Sequence, residues 1–67
     1  MVNRDELRAE IARKNVSRKH IAEALGISAT GLSLKMAGTN EFKESEIKTL
    51  VSVLDLSAED VNRIFLS

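Results

Sequence analysis

Residues 18–38, RKHIAEALGISATGLSLKMAG, contain the pattern that decides the fold. Ile21, Ala22 and Leu25 fall on one face of a helix, because residues three and four apart are neighbours on a helix surface. Gly26 follows them, and glycine readily adopts the left-handed conformation in which many helices end. The stretch therefore predicts an amphipathic helix that ends at a glycine turn.

A second helix is predicted directly after this turn. Ser28 is a suitable N-cap, since its hydroxyl can accept a hydrogen bond from a free backbone N–H. Leu32 and Met36, four residues apart, form an apolar stripe, and Gly38 follows as the predicted end. Two helices joined by a short turn that contains glycine are typical of a helix-turn-helix, which we place at about residues 17–38.

The composition favours helices and limits the classes of function. The chain of 67 residues has no cysteine, no proline and only three glycines. A disulfide framework and a cysteine-based zinc site are therefore excluded. Two phenylalanines are the only aromatic residues, which is too few for a platform that stacks single-stranded bases. Neither a signal peptide nor an apolar run of membrane-spanning length is present, so we expect a cytoplasmic protein without membrane contact.

Three more helices are predicted outside the motif. Asn3 and Glu6 have the spacing of a capping box at the start of a first helix. A fourth helix follows Phe42, which we expect to plug the core. It carries the strongest amphipathic pattern, with apolar residues at Ile47, Leu50, Val51 and Leu54. Ser57 is the expected N-cap of a fifth helix. Residues 1–67 are thus predicted to be one compact all-α domain of five helices, with the helix-turn-helix formed by helices 2 and 3.

Three apolar residues in a row, Ile64, Phe65 and Leu66, end this fifth helix. They cannot all face one core, so they are a candidate surface for self-association or for a partner. The alternative is that they pack against helix 1 or helix 4.

The charges are unevenly distributed along a chain whose net charge is zero. Residues 1–38 have seven basic against four acidic residues, and residues 39–67 have three against six. No acidic residue occurs at positions 24–40. This distribution indicates a positive face suited to a polyanion, although solvated faces could differ in charge by chance.

The first turn of the second helix carries Arg18, Lys19 and His20, where the helix dipole favours acids. A bound phosphate would reverse this unfavourable placement, because cations and free N–H groups would converge on one anion. The alternative is a solvated cluster of charges. His20 is the only histidine and has no partner at ligand spacing, so no metal site is expected.

Only Leu32 and Met36 of the third helix repeat at core spacing. The other residues are expected to face outward: Ala29, Thr30, Gly31, Ser33, Leu34 and Lys35. A glycine inside a helix costs about 1 kcal/mol relative to alanine. Gly31 therefore indicates a close approach of the backbone either to a neighbouring helix or to the wall of a DNA groove.

The chain resembles the lambda-repressor-like or Cro-like (XRE-type) helix-turn-helix proteins of phages and bacteria. Counted from Arg18, the motif has Ala22 at its fifth and Gly26 at its ninth position. Apolar residues lie where that family has them, at Ile21, Leu25, Ile27 and Leu32. The resemblance covers about residues 5–65, and the segment after Ser33 looks like small phage-encoded regulators.

The resemblance implies that helix 3, at about residues 28–37, enters the major groove of DNA while helix 2 contacts the phosphates. By position, five residues would face base edges: Ser28, Ala29, Thr30, Ser33 and Leu34. Four would contact or approach the phosphate backbone: Arg18, Lys19, Lys35 and Asn40. Where many relatives have glutamine, arginine or asparagine at the first recognition positions, this chain has Ala29 and Thr30, which cannot make bidentate contacts to bases.

Two functions follow as hypotheses. The first is a sequence-specific DNA-binding transcriptional regulator of phage repressor or Cro type, acting as a dimer on double-stranded DNA in the bacterial host cell. The alternative is a modulator or antirepressor that uses the same scaffold to bind a partner repressor protein, favoured by an exposed Leu34 and the apolar C-terminus. No enzymatic activity, cofactor or metal is expected, because cysteine and tyrosine are absent and the single histidine has no evident carboxylate partner.

Overall fold

The computed structural model describes residues 2–66, which form five α-helices joined by short turns and contain no strand. The predicted all-α, five-helix fold is therefore confirmed. The helices have the following bounds: α1 Arg4–Lys14, α2 Arg18–Leu25, α3 Ala29–Ala37, α4 Glu44–Val53 and α5 Ala58–Phe65. None of these helices is long and apolar enough to cross a membrane.

The apolar stripes of the helices meet in one core. Helix α2 packs against α3 and α4, and α1 packs against α3 and α5. Phe42, in the loop between α3 and α4, is buried as predicted. The Cα radius of gyration is 10.7 Å, which matches the roughly 11 Å expected of a compact domain of this length. The most deeply buried apolar side chains are Leu7, Ile21, Leu32, Leu50, Leu54 and Ile64.

Three serines begin helices as the sequence predicts. The hydroxyl oxygens of Ser17, Ser28 and Ser57 accept hydrogen bonds from the backbone N–H groups three residues later, at 3.0–3.1 Å. Each such cap contributes about 1 kcal/mol to helix stability. These caps fix the first turns of α2, α3 and α5, and so the direction of both helices of the motif.

The N-terminus of α1 differs from its prediction. Asn3 caps the helix, accepting from the Glu6 backbone N–H at 3.1 Å, but the reciprocal half of the capping box is not made. The Asn3 N–H donates instead to the Ile64 carbonyl at 2.6 Å, and the Glu6 carboxylate pairs with Arg63. Ile64 and Arg63 on α5 thus replace the predicted bond between Glu6 and the Asn3 N–H. The spacing of residues in the sequence contains no information about such distant partners.

A polar network joins α1 to α5. Arg63 on α5 contacts Asp60 at 2.7 Å and Glu10 on α1 at 3.2 Å, in addition to Glu6. Glu10 is only 1% exposed, and its carboxylate also pairs with Arg13. A buried carboxylate requires such partners, because an unpaired buried charge is strongly unfavourable. This network therefore holds the two terminal helices together.

The prediction of an apolar C-terminal surface is wrong for two of its three residues. Ile64 is 0% and Phe65 is 6% exposed, because α5 turns both side chains into the core. Leu66, which follows the last residue of α5, is 70% exposed. A single exposed leucine is ordinary on a protein surface and does not form a patch.

The fold is expected to lose stability in acid. The backbone N–H of Ser57 and the Arg63 guanidinium lower the pKa of Asp60 from 3.8 to about 2. Burial opposes ionisation of Glu46, but bonds from the Lys43 N–H and from Lys35 outweigh it, so its pKa lies below 4.5. Groups with a depressed pKa in the folded state stabilise the fold above their unfolded pKa and lose this contribution as pH falls through the folded value.

We therefore expect the urea midpoint to be constant above about pH 5 and to fall between about pH 4.5 and pH 2. Asp60→Asn keeps an oxygen for the helix cap but removes the titrating group, so its midpoint should be lower at pH 7 and should fall less in acid. Glu59→Gln, an exposed acid in the same turn, is the control and should retain the full acid dependence. A wild-type midpoint independent of pH in this range would contradict the prediction.

Candidate nucleic-acid interface

Helices α2 and α3 pack against one another around the glycine turn. Gly26 has a φ of +72°, in the left-handed region, and its N–H donates to carbonyls of the last turn of α2. The Ile27 N–H continues this pattern with a 3.0 Å bond to the Ala22 carbonyl. Gly38 ends α3 in the same way, with a φ of +90°. The helix-turn-helix arrangement predicted from the sequence is thus present in the fold.

The five residues expected to face bases all lie on the surface. We call Ser28, Ala29, Thr30, Ser33 and Leu34 the α3 outer face, and each of them is exposed. Leu34 is 39% exposed, which leaves an aliphatic group accessible beside the polar ones. Ser28 is partly committed, because its oxygen caps α3, but its hydroxyl proton can still be donated. The α3 outer face is therefore an accessible surface of hydroxyl and methyl groups without charge.

The first turn of α2 is basic and exposed, as predicted. Arg18, Lys19 and His20 are all accessible, and no acidic residue lies in this turn. Within residues 2–66, neither Arg18 nor Lys19 forms an ion pair or a side-chain hydrogen bond. Both cations are therefore available to an external anion.

Lys35 does not face outward, and the assignment of this residue to phosphate contact is wrong. Its side chain is buried, with the ammonium nitrogen 3.0 Å from a Glu46 carboxylate oxygen and 2.9 Å from the Glu41 carbonyl. The ammonium also lies 6.0 Å from the ring centre of Phe42. The fourth helix brings Glu46 to this position, so Lys35 ties α3 to the start of α4.

Two arginines of α1 hold the C-terminal end of α3. The Arg4 Nε donates to the Lys35 carbonyl at 2.9 Å, and an Arg8 terminal nitrogen donates to the Met36 carbonyl at 3.3 Å. Cations at this end of a helix are favourable, because the last carbonyls are free and the helix dipole is negative there. This role was not predicted from the sequence, in which its only sign is the four-residue spacing of the two arginines on one side of α1.

Most basic side chains of residues 1–38 therefore have partners within the protein. Besides these contacts, Arg13 pairs with Glu10, and the Lys14 ammonium lies 3.4 Å from the Asp55 carbonyl. Arg18 and Lys19 are the two basic residues of that segment left without partners in the described part of the chain. The charge asymmetry of the sequence thus overstates the number of unpaired cations, and two of these lie together at the start of α2.

No neighbouring helix explains Gly31, and close approach to the wall of a DNA groove stays a prediction. A Cβ built there would lie 3.3 Å from the Ser28 hydroxyl oxygen and 3.7 Å from the Ile27 Cβ. Both atoms belong to the turn before α3, and no atom of another helix in the described structure lies within 4 Å. Glycine therefore leaves room for the serine cap that begins the helix.

Asn40 is exposed in the loop that follows α3, where its backbone N–H donates to the Leu34 carbonyl at 3.3 Å. This position leaves its side chain accessible at the far end of α3 from the basic turn. No group of three or more potential metal-binding side chains occurs among residues 2–66.

By its fold, this protein is a small all-α domain of five helices that contains a helix-turn-helix arrangement. Residues 3–67 match the model of a family described as "Protein of unknown function (DUF739)". The chain belongs to this family. Comparisons with curated proteins and with solved structures found no significant match.

Proposed function

We propose that this protein is a sequence-specific DNA-binding transcriptional regulator, similar to lambda-repressor-like and Cro-like proteins. In this proposal α3 enters the major groove with its outer face toward the bases, and the first turn of α2 contacts the phosphate backbone. Asn40 lies near the backbone on the other side, and two copies bind as a dimer.

One observation carries the proposal: within the described residues, Arg18 and Lys19 in the first turn of α2 form no ion pair or side-chain hydrogen bond, and the next helix, α3, contains no acid. A surface that approaches DNA needs cations that are not already neutralised and no carboxylates near the phosphates. Arg18 and Lys19 meet the first condition. The first turn of α2 and the whole of α3 contain no acid, although Glu23 is exposed later in α2.

The chemistry of the α3 outer face supports modest selectivity. Thr30 and Ser33 can each make a single hydrogen bond to a base edge, and the methyl groups of Ala29 and Leu34 can contact a thymine methyl. None of these side chains makes the bidentate contacts that give strong discrimination. Phosphate contacts therefore supply most of the affinity in this proposal.

The test is the salt dependence of binding to a duplex selected from a randomised DNA pool. Affinity should fall steeply between about 50 and 200 mM salt, because bound cations release counterions from DNA. Arg18→Ala and Lys19→Ala should each lower the slope of log K against log salt by about one. The measurement is fluorescence anisotropy over a salt series.

Lys48→Ala is the matched control, because Lys48 is an exposed lysine of α4 paired with Glu44. Its slope should equal that of the wild type. Binding that does not depend on salt, or a selection that enriches no sequence, would count against the proposal.

Leu34 favours a second candidate function, a modulator that binds a partner repressor through α3. An exposed leucine in the middle of an otherwise polar helix face can anchor a protein contact, because burial of its remaining 39% exposed surface is favourable by about 1 kcal/mol. The same leucine contributes little to DNA affinity.

Leu34→Lys separates the two candidates. If a repressor is the partner, the variant should stay folded and lose the complex, since burying a lysine without a partner is costly. If DNA is the partner, the added cation should keep or raise the affinity for a duplex. Size-exclusion chromatography with a purified repressor and anisotropy with DNA measure the two outcomes on the same sample.

A further inference from the structure

A cleft lies outside the α3 outer face, between one side of α1 and the start of α2. Its volume is about 240 Å³, below the roughly 300–1,000 Å³ typical of small-molecule sites. A space of this size suits one or two side chains of a partner better than a cofactor. Its lining residues are Arg8, Ile11, Ala12, Asn15, Val16 and Arg18.

The lining combines apolar residues with two arginines. Ile11, Ala12 and Val16 are the apolar residues, and the arginines come from different helices. Arg18 has no side-chain partner among the described residues. Arg8 uses two of its five N–H donors, toward Asp5 at 2.9 Å and the Met36 carbonyl. Asp5 is 92% exposed, so this pair is weak and an incoming carboxylate can replace it.

We infer that this cleft binds an acidic peptide segment of a partner protein, in which a glutamate or aspartate lies next to an aliphatic residue. Guanidinium groups bind carboxylates through two parallel hydrogen bonds, which gives the contact direction as well as strength. The apolar lining distinguishes a peptide from a DNA backbone, because a phosphodiester has no aliphatic group to pack against Ala12 and Val16, which are the accessible apolar residues here.

Arg18 belongs both to this cleft and to the basic turn of α2. The acidic segment and DNA therefore compete for the same guanidinium, so that a partner with such a segment would release the protein from DNA. This competition rests on the proposed function, whereas binding of the peptide does not.

The experiment is an NMR titration of the ¹⁵N-labelled full chain with a blocked pentapeptide that carries two glutamates around a central leucine. Saturable shifts are expected at the amides of Ala12, Asn15 and Val16. The same peptide with glutamines in place of glutamates, and inorganic phosphate, should not produce them. No saturable shift, or equal shifts with either of these two probes, would overturn the inference.

Two neighbouring cations supply matched variants. Arg18→Gln should lower the affinity for the peptide by about tenfold, since it removes a hydrogen bond between charged groups. Lys19→Gln removes the same charge outside the cleft and should change the affinity by less than about twofold. Equal effects of the two variants would show that peptide affinity depends only on the net charge of the protein, and would overturn the inference.

Ala12→Glu adds a third arm. Ala12 is exposed on α1, and glutamate is a good helix former, so the fold should be retained by circular dichroism. A carboxylate in the cleft should abolish binding of the acidic peptide, and unchanged binding would place the peptide elsewhere. Fluorescence anisotropy with DNA and peptide together then measures whether the two compete. If the peptide binds but does not displace DNA, the proposed DNA function is contradicted and the peptide site is not.

Discussion

Lys35→Met is expected to lower the free energy of unfolding by about 3 kcal/mol, because it leaves the Glu46 carboxylate buried without its countercharge. Methionine keeps the aliphatic stem of lysine beside Phe42, so the loss is electrostatic and does not come from a cavity. A domain of this size has a stability of roughly 3–5 kcal/mol. The variant should therefore be partly unfolded at 25 °C, as measured by urea denaturation with circular dichroism.

Two further variants make this test specific. Lys35→Met combined with Glu46→Gln should recover most of the loss, because removal of both charges leaves no buried ion and glutamine can still accept from the Lys43 N–H. Lys48→Met breaks a pair whose side chains are 77% and 87% exposed, and should cost less than about 0.5 kcal/mol. Similar losses for Lys35→Met and Lys48→Met would show that burial of the Lys35 pair has no energetic consequence.

Thr30→Glu is expected to weaken DNA binding by about a hundredfold while the fold is kept. Thr30 is exposed in the first turn of α3, where an acid is favoured by the helix dipole. In the proposed complex the same carboxylate would face the negatively charged groove, and like charges brought together across an interface cost several kcal/mol. Anisotropy at fixed salt measures the loss, and thermal unfolding checks the fold.

The control for this variant is Ala58→Glu, which adds the same charge to the first turn of α5. Ala58 is exposed, and α5 packs against α1, away from the helix-turn-helix. Its DNA affinity should remain within about threefold of the wild type, the size of a screened long-range charge effect. If Thr30→Glu and Ala58→Glu bind DNA equally well, α3 is not the helix that enters the groove.

Local sequence rules were sufficient for the helices and for most of their ends. The caps at Ser17, Ser28 and Ser57 and the left-handed glycines at 26 and 38 involve bonds within three to five residues, so residue type and spacing determine them. The apolar stripes that contain Leu32 and Leu50 were equally predictable, because burial follows the helical period. The α3 outer face was identified by the same periodicity.

Long-range contacts decided what the sequence left open or assigned wrongly. Lys35 was expected on the surface, but Glu46, eleven residues later, becomes its neighbour only when α4 packs beside α3. Glu6 left its predicted capping box for Arg63 at the other end of the chain. Local patterns contain no information about partners distant in sequence. For this reason they could not distinguish the paired cations of residues 1–38 from Arg18 and Lys19, which have no partner in the described part of the chain.

By itself, the sequence determined five helices, most of their caps and the helix-turn-helix, since these depend on hydrogen bonds and apolar periodicity within one or two turns. Only the tertiary structure decided which charges remain available: Arg4, Arg8 and Lys35 secure the end of α3, and Arg18 and Lys19 remain open to an anion. The physical reason is that a charged side chain acts on whatever lies nearest in space, and folding brings together groups that are far apart along the chain.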